Sequence, residues 1–130
     1  MITEDYVSFE IAKLLKEKGF NERLLTFYIT DEAKKEGYFQ LMAFTDDKID
    51  NNHSDYCYLA PTLQMAMKWL RKEHNIHIDI CSIWDILHWL YQVFVITPRT
   101  ARNPYVDKIL YTSYEQAIEA GIKYCLKNLI

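Results

Sequence analysis

Apolar positions change period several times along the chain, and each change marks an element. Val7, Ile11, Leu14 and Leu15 recur at helical spacing, so residues 4–18 are predicted to form an amphipathic helix. Thr3 is placed to cap it, Glu4 and Asp5 suit the positive end of the helix dipole, and Gly19 suits a left-handed turn just past its end. Residues 24–30 and 38–45 are strand-like runs joined by the polar DEAKKEG, which predicts a hairpin. Residues 46–55, DDKIDNNHSD, hold almost nothing apolar and predict an exposed loop. Helical spacing returns over 61–73 through Leu63, Ala66, Met67 and Leu70, with Pro61 at the first helical position and Asn75 past the end. The run IHIDICSI then alternates strictly, Ile76, Ile78 and Ile80 on one side and His77, Asp79 and Cys81 on the other, as a strand buried on one face does.

Residues 89–96, WLYQVFVI, are aromatic and β-branched throughout and predict a strand covered on both faces. A loop, TPRTARNP, follows, then a weaker strand over 105–111. The last helix opens with Ser113 and Gln116 spaced as a capping box, and Ile118, Ile122, Cys125 and Leu129 form its apolar stripe. The elements read α-β-β-α-β-β-β-α. This predicts a single α+β domain over residues 1–130, with a mainly antiparallel sheet and helices on one face.

Length and composition agree with that picture, since a chain of 130 residues is long enough to bury a core without a disulfide or a metal. Three cysteines at irregular spacing, Cys57, Cys81 and Cys125, do not make a disulfide framework. The acidic start MITEDYVSFE is unlike a secretory signal, and no apolar run approaches membrane-spanning length. The expected location is therefore the cytoplasm, with reduced thiols and no membrane partner. Charge is uneven. Residues 1–60 carry seven Lys or Arg against twelve Asp or Glu, and residues 61–130 carry eight against six. Any footprint for nucleic acid must lie in the second part, and the excess there supports at most a weak, salt-sensitive interaction.

Three runs, VSFEIAKLLKEKGF at 7–20, APTLQMAMKWLRKEHNIHI at 60–78 and YTSYEQAIEAGIKYCLKNLI at 111–130, resemble a family of small uncharacterised proteins carried by gut bacteria and their phages. The resemblance implies an accessory or mobile-element setting and brings no catalytic or binding residue with it. The order α-β-β-β-α over 61–130 is also similar to that of double-stranded-RNA-binding domains. Those domains grip phosphates with lysines at the start of the last helix, where this chain has Tyr114, Glu115 and Gln116.

The search for chemistry is mostly negative. Gly19, Gly37 and Gly121 stand singly, so no glycine-rich phosphate loop can be built, and no nucleophile elbow or two-histidine metalloprotease helix occurs. His74, His77 and Cys81, three candidate ligands with Asp79 lying between them in sequence, are the nearest approach to a metal cluster. They lack a fourth ligand and a Cys pair at zinc-finger spacing, so no metal and no cofactor are expected. Asp46, Asp47, Asp50 and Asp55 do not fit a calcium loop, because neither register places the required Gly and Glu. No spacing singles out a Cys and His pair for nucleophilic catalysis.

Two groupings remain. Trp84, Trp89 and Tyr91 form the densest aromatic patch, suited to core or to an interface. Arg99 and Arg102, with Lys108 beyond and Lys68, Arg71 and Lys72 on the second helix, form the cationic grouping, suited to phosphates or to a solvated face. The expectation is a non-catalytic protein-interaction or adaptor module, acting on an unidentified protein partner or as a homodimer through exposed Trp89, Tyr91 and Phe94. The alternative is a weak nucleic-acid-associated protein using the loop near Arg99 and Arg102.

Overall fold

The structure is a computed structural model that describes residues 2–30, 40–43, 55–83, 87–98 and 101–130, with backbone alone at 101–104. The fold class is α+β, and the described residues form three helices and two antiparallel three-stranded sheets. Where one sheet was expected there are two, because β3 (Cys57–Leu59) returns to the free side of β1 (Thr26–Ile29) and completes a sheet ordered β2-β1-β3, β2 being Gln40–Ala43. β4 (Ile76–Ile83), β5 (His88–Ile96) and β6 (Ala101–Val106) form the second sheet, in the order β4-β5-β6. The element order is as expected apart from β3, which three residues are too short to announce. The predicted loop at 46–55 lies outside the described residues except for exposed Asp55.

The chain divides into two compact units, residues 6–62 and residues 63–130 with 1–5. In the first, α1 (Phe9–Glu17) buries Ile11, Ala12 and Leu15, and it is capped by Ser8, whose side chain accepts from the amide of Ile11. Thr3 does not cap it. Tyr6 bridges Thr62, and the amide of Val7 donates to the Pro61 carbonyl, so residues 6–7 are extended and the helix starts later. Gly19 ends it at φ +90°, the left-handed turn that glycine adopts without steric cost. Phe9 packs edge-on against Tyr28 and Tyr58, and Lys16 spans the Tyr58 ring to reach the Cys57 carbonyl.

In the second unit, α2 (Leu63–His74) and α3 (Tyr114–Asn128) pack on one face of the β4-β5-β6 sheet. Helix α2 begins at Leu63 rather than at Pro61, and Asn75 at φ 56° turns the chain directly into β4. On the covered face, Ile76, Ile78, Tyr91 and Val93 are buried. Gly121 of α3 lies so close that an added Cβ would sit 2.9 Å from Cγ2 of Ile78 and 3.3 Å from the Tyr91 ring. Ser113 caps α3 as expected. The reciprocal half of the capping box is absent, since the Gln116 side chain accepts from the Thr112 hydroxyl instead.

Two expectations about the sheet are corrected. Strand β5 is covered on one face only: Leu90, Gln92 and Phe94, which point the other way, stay half-exposed. The last strand begins at Ala101, within the segment expected to be a loop. Pro104 lacks an amide proton, yet β6 is an edge strand and tolerates it through a bulge, with Asn103 and Pro104 set against Phe94 alone.

Candidate functional site

β6 does not run on to residue 111 as expected. The ladder along β5 continues one step, with the Asp107 amide donating to the Tyr91 carbonyl at 3.1 Å. It resumes at Tyr111, which exchanges hydrogen bonds of 2.7 and 2.9 Å with Trp89. Residues 108–110 therefore stand opposite the single residue Leu90 and are pushed out of the ladder. Lys108, Ile109 and Leu110 all face solvent, the two aliphatic side chains being 60% and 42% exposed. Val106, on the strand just before, is 46% exposed.

Asp107 holds the base of this excursion. It is the buried charged residue among those described, at 3% exposure. One carboxylate oxygen accepts from the Tyr111 hydroxyl at 2.7 Å; the other accepts from the Ile109 amide at 3.1 Å and, more distantly, from the Tyr105 hydroxyl at 3.4 Å. The bond to Ile109 closes an Asx turn, a local alternative to the sheet ladder that Asp offers readily. Tyrosines surround it. Tyr105 stacks on Tyr124 of α3 at 4.0 Å between ring centroids, and Tyr91 lies about equally near Tyr105, Tyr111 and Tyr124. Burial, and after it the Asp107 carboxylate, push the Tyr91 and Tyr111 hydroxyls well above the ordinary phenol range. For Tyr111 the hydrogen bond given to Asp107 adds to that. These phenols stay protonated at neutral pH, and Tyr111 donates a hydrogen bond to Asp107.

The opposite face of this sheet carries the polar residues singled out in the sequence. Gln92 donates to Asp79 at 2.9 Å and to the Cys81 sulfur at 3.3 Å, and the Cys81 thiol donates to Asp79 at 3.3 Å. His77 is stacked with Phe94, while His74 lies edge-on against Trp69. Among the described residues no three His, Cys, Asp or Glu side chains converge on a point that could hold a metal. Burial, then the Asp79 carboxylate, raise the Cys81 thiol above its ordinary value, and burial pushes Cys125 up to about 12. Thiolate is the reactive form, so both shifts suppress nucleophilic character at neutral pH. In an alkylation time course, half-buried Cys81 should react more slowly than a free thiol at pH 7.5 and gain rate only as pH rises past the free-thiol range. Cys125 should react only on unfolding. Fast alkylation of Cys81 at pH 7.5 would contradict this arrangement.

The residues chosen from sequence fall in different places. Tyr91, suited by sequence to core or to a homodimer face, is a core residue at 3% exposure beneath α3, because it shares the inward register of Val93. Trp89 shares that register and rests edge-on against Tyr114, 5.4 Å between centroids. Phe94 lies on the other face, so the three rings do not form one exposed patch. Trp84 and Arg99 lie outside the described residues, and of Arg102 only the backbone is described, opposite Val95. Lys68, Arg71 and Lys72 are exposed along one side of α2. The exposed loop at 108–110 and its Asp107 anchor were not foreseen. The signal lay in YVDKILY, where an Asp, poorly suited to a strand, sits between tyrosines two residues before and four residues after it. No described helix is long and apolar enough to cross a membrane. The chain matches no family model, no curated protein and no solved structure.

Proposed function

We propose that this chain is a non-catalytic protein-interaction module of the cytosol, of accessory or mobile-element origin, that engages its partner through Lys108, Ile109 and Leu110. One observation carries the reading. A buried carboxylate, costly to desolvate, is spent on fixing a three-residue excursion whose aliphatic side chains then face water. A pre-ordered apolar projection gains affinity because little conformational freedom is left to lose on binding. The matching partner surface is an apolar groove with a carboxylate at its rim to meet Lys108. Strand addition at β6 is disfavoured by Pro104 and its bulge, features that blunt a sheet edge, so contact is made by side chains. The groups that could do chemistry nearby are consumed as donors and acceptors within the fold, which supports a binding role over a catalytic one.

The test pairs wild type with an Ile109→Asp/Leu110→Asp variant. Both positions are exposed, so the fold and the melting temperature should be unchanged. Light scattering on both proteins shows whether the partner is a second copy, and matched capture from the native host shows whether it is another chain. The proposal expects one of these associations in the wild type and its loss in the variant. An association equally strong in both proteins would refute it.

A further inference from the structure

We infer that the hydrogen bond from Tyr111 to Asp107 is a latch that sets the conformation of residues 108–110, so that Tyr111 and Asp107 are positioning residues for the contact loop. The inference rests on the proposed role of that loop only for its biological purpose; the latch is a property of the chain alone. The geometry shows why one bond should control three residues. The excursion is tied to β5 at both ends, through Asp107 to Tyr91 and through Tyr111 to Trp89, and those ties fix where it leaves and rejoins the sheet. Between them, its shape depends on Asp107, whose two oxygens hold the middle of the loop and the residue just past it: Oδ1 takes the Ile109 amide and Oδ2 takes the Tyr111 hydroxyl. The Tyr111 bond is the shorter of the two and orients the carboxylate, which in turn presents Oδ1 to Ile109.

Tyr105 is a weaker tether at 3.4 Å and is already held by stacking on Tyr124. The same span ends one residue before Thr112 and two before Ser113, which caps α3, so the latch also fixes the approach to that helix.

Amide hydrogen exchange on the isolated protein tests this without any partner. In the wild type the Ile109 amide should be protected although its side chain is 60% exposed. Tyr111→Phe removes only the hydroxyl, and exchange at Ile109 should then rise roughly tenfold or more, the range for a hydrogen bond to a charged acceptor. Amides in β4 and the middle of β5 should keep their rates. Tyr105→Phe, which removes the long bond, should leave Ile109 nearly unchanged and serves as the second variant should Tyr111→Phe fold poorly. Unprotected Ile109 in the wild type, or equal effects of Tyr105→Phe and Tyr111→Phe, would overturn the latch. Neither result depends on whether the loop binds a protein. Conversely, loss of binding in Ile109→Asp/Leu110→Asp with normal exchange in Tyr111→Phe would leave the contact standing and remove the latch.

Discussion

Replacing Tyr91 with Ala should destabilise the protein by about 3–5 kcal/mol, the range for deleting a large buried ring. The ring is 3% exposed, faces Gly121 of α3, and is ringed by Tyr105, Tyr111 and Tyr124. Its removal opens a cavity between α3 and the sheet, which a stiff β-strand and a helix packed at a glycine cannot close by small shifts. Tyr91→Phe keeps the volume and should cost no more than about 1.5 kcal/mol, the worth of a neutral hydrogen bond. Denaturant titration of the two variants separates these cases. An interface residue would behave in the opposite way, with Tyr91→Ala nearly neutral for folding, and that outcome would favour the interface alternative that the sequence left open.

Asp107→Ala has the second large expected effect, a loss of about 3 kcal/mol. The substitution removes the acceptor from three donors at once, and a buried donor left without a partner costs on the order of 1–3 kcal/mol. The Tyr111 hydroxyl and the Ile109 amide carry most of this, since the Tyr105 bond is long and its ring is supported by stacking. The total falls short of three full penalties because the Tyr105 bond is long and Tyr111 and Tyr105 are only half-buried. Thermal unfolding against wild type checks the value. Asp107→Ala as stable as wild type would mean that the carboxylate contributes nothing to the fold.

Much of the architecture was legible wherever a full period and a terminal signal coincided. The strict alternation of Ile76, Ile78 and Ile80 placed β4, and Ser113 placed the start of α3, because these patterns state a face and a boundary directly. The misreadings arose where a distant partner decided the outcome. Residues 4–7 have helical spacing, yet pairing of Tyr6 with Thr62 extends them and passes the cap to Ser8. Pro104 argued for a loop, but its edge position and bulge let β6 run through it. The division into two sheets depended on β3, a strand of three residues whose only strong credential is its pairing with β1.

The site was less legible than the fold for a related reason. Aromatic density at 89–94 suggested a surface patch, but strand alternation sends Trp89 and Tyr91 under α3 and Phe94 to the far face. The cationic grouping was assembled from two sequence segments, and of the exposed cations described on α2, Arg71 and Lys72 sit in its last turn, where the helix dipole already favours them, while Lys68 lies mid-helix. Asp107, in contrast, acts through side-chain bonds to residues two and four positions away, a pattern that periodicity does not register.

The central claim is that residues 108–110 meet another protein, and site-specific photo-crosslinking in the native host tests it most directly. A crosslinking residue replaces Leu110 in one strain, Glu115 on the exposed side of α3 in a second, and Lys72 on α2 in a third. The account predicts a discrete protein adduct from position 110, a second copy of the chain or another protein, with little from positions 115 and 72. An adduct confined to position 72, above all one to nucleic acid, would contradict it and place the working surface on the cationic side of α2.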